Sequence, residues 1–330
     1  MAPIVLESNQ PPNRFYKGGS QISAFRSAAP SDTYQPEDWV ASTTCCNGQD
    51  TLGLTQLENG SLLRDSIENE PEYWLGEEHV KKFGTSTKLL VKLLDAGQRL
   101  PVHAHPHREW AHQHLGVSCG KAEMWFTMNP GTVWLGLREK ISPERLRELV
   151  DKQESDTLRS MMHEIKLQRH QAVYVPPGVL HAIGEGLLVA EVQEPSDLSV
   201  LCEWKDFAID GTKDGHLGLG FETALTAIER SARTTEEMTD LVTAPAMEGV
   251  VCSPASREYF RTEYHHVIGH VVHPRGFAIL IVLDGHMELE TSGSGNTALS
   301  HGFTVVIPHS DGDFSLRGEG SVFIARPPQV

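Results

Sequence analysis

Two short histidine motifs constrain the fold of this chain more than any other feature of its sequence. The first places His103 and His105 two residues apart, shortly after the turn-forming Gly97. The second places His181 three residues after Gly178, where an apolar run ends in proline and glycine. Residues two apart on a strand face the same side of a sheet. The two motifs therefore predict a β-fold that brings three imidazoles to one metal ion.

A carboxylate is expected to complete this metal site, and two glutamates are candidates. Glu109 has the simpler spacing, but it precedes residues 110–115, which we interpret as helix or loop. Glu123 opens the sequence EMWFTM, which has the alternating faces of a strand, and it is the favoured ligand. Three neutral imidazoles and one carboxylate suit Zn²⁺, although iron, manganese or nickel would also accept these ligands.

The sequence around the motifs is typical of strands interrupted by helix. Two helical insertions are predicted, at about 142–167 and 220–242. Ser142 and Pro143 form a helix start, and Thr234 and Glu237 have the spacing of a capping box. The predicted strands are 88–95, 100–105, 123–128, 132–137, 171–176 and 186–193.

A second β-rich region follows from about residue 260. We expect a strand at 278–283, a hairpin turn at Asp284 and Gly285, and a return strand at 286–290. A faint repeat relates 88–193 to 278–325, which favours two jelly-roll β-barrel modules with helical insertions. We place the first domain at 1–245 and the second at 246–330. The second lacks the histidine motifs and is interpreted as structural.

Composition excludes several classes of partner. Lys and Arg total 28 against 44 Asp and Glu, for a formal net charge of −16, so nucleic acid and anionic membranes are not expected partners. Five cysteines, an odd number, do not form a disulfide framework. These features predict a cytoplasmic protein.

The motifs resemble those of the cupin superfamily, and the whole chain resembles short-form class I mannose-6-phosphate isomerases. The resemblance extends over nearly the whole length of the sequence. It rests on segments PEDW at 36–39, NG at 47–48, DSIENEPEYWLG at 65–76, GKAEMW at 120–125, HAIGEG at 181–186 and AEVQEPSD at 190–197.

The resemblance implies a ligand set and a reaction. The family's zinc ligands fall on His103, His105, Glu123 and His181, the first of which is usually glutamine in the family. The implied reaction is an aldose–ketose isomerisation of a sugar or sugar phosphate. In it, a proton moves between C1 and C2 through a cis-enediol, which requires a Lewis acid and a nearby acid or base.

Three residues are candidates for moving or steering that proton. Lys121 lies two residues before Glu123 and is the first candidate, with a solvated lysine at a strand edge as the alternative. Glu191 and Asp197 are secondary candidates, since either could orient a ligand or a sugar hydroxyl.

Two departures from the family concern the substrate's phosphate. Pro101 replaces a serine two residues before the first ligand, and no arginine follows Asp197 in SDLSVLCEW. Lys92, Lys121, Arg108 and Arg138 could supply the missing charge. The sequence therefore leaves three hypotheses: a mannose-6-phosphate isomerase, an isomerase of an unphosphorylated sugar such as mannose or lyxose, and a non-catalytic sugar-binding cupin.

Overall fold

The computed structural model describes residues 3–330, and the protein is mainly β, as predicted. The strands are β1 Ile4–Leu6, β2 Glu37–Val40, β3 Leu90–Asp95, β4 His103–Ala104, β5 Glu123–Thr127, β6 Gly131–Leu137, β7 Met162–Leu167, β8 Ala172–Val175, β9 His181–Ile183, β10 Leu188–Gln193, β11 Val200–Leu201, β12 Gly249–Val250, β13 Arg261–His273, β14 Ala278–Thr291, β15 Gly295–Ser300, β16 Thr304–Ile307 and β17 Phe314–Arg326. The helices are α1 Ser20–Arg26, α2 Leu63–Asn69, α3 Pro71–Leu75, α4 Glu77–Phe83, α5 Arg108–Leu115, α6 Pro143–Asp151, α7 Ser155–Ser160, α8 Gly211–Asp214, α9 Phe221–Ala224 and α10 Thr235–Thr239.

Two five-stranded antiparallel sheets carry the residues of the histidine motifs. The first has the strand order β2-β3-β10-β5-β8 and the second β11-β4-β9-β6-β7. Strands β3 and β10 are buried along their whole length, which explains their nearly continuous apolar sequences. Lys92, Asp95 and Glu191 are the charged exceptions in these two strands, and Lys92 and Glu191 belong to the site described below.

A third sheet contains the C-terminal strands. Its order is β1-β16-β14-β17-β13-β12, with β15 paired to β14. Strand β1 pairs with β16 in the register Ile4 to Val306, so residues from both ends of the chain lie in this sheet. The predicted boundary between residues 245 and 246 stays a proposal.

An aromatic contact joins the third sheet to the first. Phe126 of β5 stacks on Phe323 of β17 with ring centroids 4.7 Å apart, and both side chains are fully buried. Tyr264 of β13 packs on Phe126 at 5.4 Å. Aromatic pairs of this kind contribute about 0.5–1.5 kcal/mol each beyond the burial of their area. The C-terminal sheet therefore stabilises the sheet that carries Glu123.

The first predicted helical insertion is wrong over its last residues. Helix α6 begins after Ser142, whose side chain caps it as expected, and α7 ends at Ser160. Residues Met162–Leu167 form strand β7 instead and pair with β6. In this stretch Glu164 and Lys166 are exposed and alternate with better-covered neighbours. Exposure that alternates with a period of two residues is the pattern of a strand. It decides the structure of residues 162–167 against their helix propensity.

The second predicted insertion, 220–242, is divided into separate short elements. Helix α9 continues into a 3₁₀ turn at Leu225–Ala227, and α10 begins after Thr234. The capping box of Thr234 and Glu237 is confirmed, since each side chain accepts a hydrogen bond from the other residue's backbone N–H.

The hairpin predicted at Asp284 and Gly285 is wrong. Both residues lie inside β14, a continuous strand of 14 residues. The register with β17 shifts between Val282 and Asp284, which identifies a β-bulge at this point. Gly285 has φ +78°, and a Cβ there would lie 2.2 Å from the backbone oxygen of Glu319. A bulge uses the same conformational freedom of glycine as a tight turn, so the dipeptide does not distinguish the two.

Among residues 3–330, none of the helices has the length and hydropathy needed to cross a bilayer. All five cysteines are free thiols.

Candidate metal centre

Strands β4 and β9 bring the two histidine motifs together. His103 and His181 are directly paired in the register of these antiparallel strands, and His105 follows β4 by one residue. The N–H of Gly178 donates to the carbonyl of His105 at 2.6 Å, which ties the second motif to the first. Gly178 has φ +83°, a conformation that favours glycine at this position of the motif.

Backbone carbonyls select one tautomer for all three imidazoles. The Nδ1 atoms of His103, His105 and His181 each lie 2.8 Å from a carbonyl oxygen, those of Pro101, Leu198 and Val179 respectively. Since a carbonyl only accepts, each Nδ1 carries the hydrogen and each Nε2 keeps a bare lone pair. The Nε2 atoms of His103 and His181 are 2.9 Å apart. Two converging lone pairs at this distance call for a cation between them.

Glu123 on β5 brings a carboxylate to the same point from the opposite sheet. Its Oε2 lies 3.0 Å from Nε2 of His105, and its Oε1 lies 3.4 Å from Nε2 of His181. Trp125 donates to Oε1 at 3.1 Å. Glu109 is exposed on α5, away from the three imidazoles. The geometry therefore favours Glu123 over Glu109.

Burial keeps these groups in the protonation states that a metal needs. It lowers the pKa of His105 and of His181 to about 3, because the low-dielectric interior disfavours imidazolium. Burial alone would raise the pKa of Glu123, but Lys121, His105 and His181 together outweigh it and hold that pKa well below its usual range. Three neutral imidazoles and one carboxylate fit a first-row divalent metal such as Zn²⁺.

Lys121 is buried beside this cluster. Its Nζ lies 2.9 Å from Nε2 of His105 and 3.1 Å from Oε2 of Glu123. The side chain is only 5 % exposed, so the alternative of a solvated lysine at a strand edge is wrong. The ammonium is therefore placed at the floor of the cavity, next to any group bound there.

A cavity of about 500 Å³ opens above the cluster, large enough for a sugar phosphate. His103 and Lys121 lie at its floor, and Pro101 lines its wall. Its other charged lining residues are Arg14, Glu37, Lys92, Glu191, Asp197, Lys213 and Asp214.

Lys92 is the centre of a buried charge network on one wall of the cavity. Its Nζ lies 3.5 Å from Glu37, 3.4 Å from Glu191 and 3.7 Å from Asp197. Burial and the charge of Glu123 raise the pKa of Glu191 to about 7, although Lys92 opposes the rise. Glu191 can therefore both hold and release a proton near neutral pH.

Asp197 is held by several donors and positions the loop that orients a histidine. Arg14 approaches its carboxylate at 3.3 Å, and the backbone N–H of Asn47 donates to it at 3.1 Å. The next residue is Leu198, whose carbonyl fixes the tautomer of His105. Asp197 is thus well placed as a positioning residue.

Arg14 and Glu37 line the cavity, but the sequence did not identify either of them as a site residue. Arg14 has no motif around it, and its role is visible only through contacts with residues distant in sequence. Glu37 lies within the PEDW segment at 36–39, so the resemblance contained a signal for it. Of the four predicted cationic residues, only Lys92 and Lys121 line the cavity. Arg108 pairs with Glu194, and Arg138 bonds to the backbone of Ser160.

Replacing Lys92 with methionine should destabilise the fold. The change removes the cation from three buried carboxylates, and breaking a buried ion pair typically costs about 3–5 kcal/mol. We expect a loss of this size in the free energy of unfolding measured with urea. Lys166→Met is the control, because Lys166 is exposed on β7. It should change the free energy of unfolding by under about 0.5 kcal/mol. A loss below about 1 kcal/mol for Lys92→Met would show that the network behaves like a surface ion pair.

Sequence comparison finds relatives of one kind among curated proteins, all of them named as mannose-6-phosphate isomerases. No protein-family model matches the chain. Mannose-6-phosphate isomerase ManA of Bacillus subtilis is 26% identical over 284 residues, covering 83% of this chain and 85% of that protein. Mannose-6-phosphate isomerase of Streptococcus mutans is 30% identical over 201 residues, covering 59% of this chain and 58% of that protein.

Solved structures with a similar fold are also phosphomannose isomerases. The mannose 6-phosphate isomerase of Bacillus subtilis superimposes with a TM-score of 0.74 at 20% identity, covering 98% of this chain and 99% of that one. A mutant of phosphomannose isomerase from Salmonella typhimurium superimposes with a TM-score of 0.76 at 15% identity over the full length of both chains. The chain therefore has the cupin-type fold of phosphomannose isomerases.

Proposed function

We propose that this chain is an aldose–ketose isomerase that interconverts mannose 6-phosphate and fructose 6-phosphate. The names of its curated relatives and structural neighbours support this function. The observation that carries it in the structure is the convergence of three imidazoles and a carboxylate beneath a cavity of about 500 Å³. A site of this kind suits a reaction that needs both a Lewis acid and a proton carrier.

His103, His105, Glu123 and His181 would hold the metal, for which we propose Zn²⁺. The bound ion would supply Lewis-acid polarisation of the sugar's carbonyl and hydroxyl oxygens. The protein's part is to fix the ligands before substrate arrives, since Nδ1 of every imidazole is already held by a backbone carbonyl. Such pre-organisation keeps the ligand geometry constant while the substrate changes its bonding.

Lys121 and Glu191 are the groups that we propose for proton transfer. Both line the cavity, and Lys121 is the nearer to the proposed ligands. Lys121 would carry the proton between C1 and C2, its neutral amine taking the proton from one carbon and the resulting ammonium returning it to the other. Glu191, with its pKa raised to about 7, would take or return the proton of a sugar hydroxyl. Asp197 would act as a positioning residue through Leu198 and His105.

The phosphate is the part of the substrate for which the cavity offers the weakest recognition. Arg14 and Lys92 already face the carboxylates of Glu37 and Asp197. Lys213 lines the cavity and makes no ion pair within 4.0 Å among the described residues, so it is our candidate for the phosphate. The neutralised cations equally favour a second candidate function, isomerisation of an unphosphorylated sugar such as mannose.

Activity on two substrates separates these candidates. Zinc-loaded protein is assayed on mannose 6-phosphate and on free mannose, with Lys213→Ala and the exposed control Lys205→Ala. We expect turnover of the phosphate ester, and a KM for it raised roughly 10-fold by Lys213→Ala alone, as for one lost charge-assisted hydrogen bond. Efficient turnover of free mannose would favour the second function. Activity on neither sugar would favour a non-catalytic sugar-binding protein.

We further propose the short class I form, with two cupin barrels at 1–245 and 246–330, acting in the cytoplasm. The free state of all five cysteines supports a reducing compartment. The two five-stranded sheets support the first barrel, and the seven-stranded sheet supports the second.

A further inference from the structure

A second cluster of metal-ligating side chains lies in the C-terminal sheet, outside the cavity described above. Glu263, His265 and His273 each offer one ligand atom, and these atoms lie within 4.8 Å of one another. We infer that these three residues bind a second divalent metal ion of the zinc class. The inference does not depend on the isomerase activity.

One strongly curved strand supplies all three ligands. Glu263, His265 and His273 lie on β13 at positions of the same parity, so their side chains leave the same face of the strand. The strand bends enough for the rings of His265 and His273 to meet in a T-shaped arrangement, with centroids 4.7 Å apart.

Glu263 lies between the two imidazoles and keeps one carboxylate oxygen directed at them. Its Oε2 lies 3.2 Å from Nε2 of His265 and 3.6 Å from Nδ1 of His273. The other oxygen, Oε1, lies 3.2 Å from Nε of Arg326. Arg326 therefore neutralises one side of the carboxylate and leaves the other for a cation.

His273 contributes a buried imidazole to the cluster. It is only 2 % exposed, and its Nε2 has no hydrogen-bond partner among the described residues. Buried polar atoms are nearly always paired, so an orphan imidazole nitrogen calls for an explanation. Its ring also stacks on Phe314 at 4.9 Å, which fixes the imidazole against the cluster. The nitrogen that faces Glu263 is Nδ1, at 3.6 Å from Oε2, so a metal ion in the cluster would bind Nδ1.

A second carboxylate lies near His265, beyond hydrogen-bond distance. The outward nitrogen of that ring, Nδ1, lies 4.0 Å from Oε2 of Glu248. Glu248 is itself anchored, because its Oε1 accepts the backbone N–H of His266 at 2.9 Å.

The donor set indicates the class of metal and its role. Two imidazoles and one carboxylate suit Zn²⁺ and neighbouring first-row metals. None of the three residues lines the cavity above the first cluster. We therefore assign the second ion a structural role, in which it braces the curved pair of strands β13 and β17.

Metal counting tests the inference in full-length protein. Wild-type protein is loaded with zinc and dialysed, and its metal content is then measured by elemental mass spectrometry. We expect about two zinc ions per chain. His181→Ala should hold about one ion, and His181→Ala combined with His265→Ala about none. His270→Ala is the matched control, since His270 lies on the exposed face of the same strand and should leave the count unchanged.

Two outcomes would overturn the second site. One is a count that His265→Ala does not reduce, and the other is a wild-type count of one that falls to none in His181→Ala alone. His273→Phe keeps the stack on Phe314 and provides a second test should His265→Ala fail to fold. Added Zn²⁺ should raise the Tm of His181→Ala but not of His181→Ala with His273→Phe.

Discussion

Replacing His181 with alanine should remove the metal and the isomerase activity together. His181 is fully buried, and its Nε2 lies 2.9 Å from that of His103, so the substitution opens the proposed coordination sphere at its centre. Loss of a Lewis acid that contributes several kcal/mol to the transition state lowers kcat/KM by roughly 10³-fold or more. We expect metal content and kcat/KM to fall in parallel in the same preparation.

The control for His181→Ala is His112→Ala. His112 is an exposed histidine on α5, and its replacement should leave both metal content and kcat/KM within about twofold of wild type, as for most surface changes. Circular dichroism and Tm establish that His181→Ala is folded. Near wild-type kcat/KM in a folded His181→Ala variant would show that the metal site is misplaced.

The candidate metal site could be predicted from sequence because its spacing is local. His103 and His105 are two residues apart, a spacing that places both side chains on one face of a strand. Gly178, with its positive φ, forms the turn that leads the chain to His181. The choice of Glu123 also rested on a local strand pattern. The charge network could not be predicted in this way, since Arg14 and Lys92 meet Asp197 only through the tertiary fold.

The C-terminal sheet shows where local patterns lose their predictive value. Asp284 and Gly285 have the residue types of a hairpin turn, yet the pairing of β14 with β17 continues through them. The Glu263, His265 and His273 cluster was missed for a related reason. Its members approach one another because β13 bends, with Gly269 at φ +87° between His265 and His273, and a glycine alone does not show which strand residues a bend brings together.

Replacing Lys121 with methionine should separate proton transfer from metal binding. Methionine keeps most of the buried volume but cannot carry a proton, so kcat should fall by about 10²–10⁴-fold. The metal should be retained, because the change removes a positive charge 2.9 Å from His105 and 3.1 Å from Glu123. Kinetics, metal content and exchange of deuterium from solvent into the sugar, followed by NMR, are measured together.

Retention of metal distinguishes Lys121→Met from His181→Ala, which should lose metal and activity at once. Solvent deuterium should enter the substrate far more slowly in Lys121→Met, while Lys205→Met, at an exposed position, should match wild type. A fall in kcat below about threefold, with exchange intact, would exclude Lys121 as the proton carrier. Glu191 would then be the remaining group at the cavity wall with a pKa near neutrality, and Glu191→Gln would be expected to produce the loss instead.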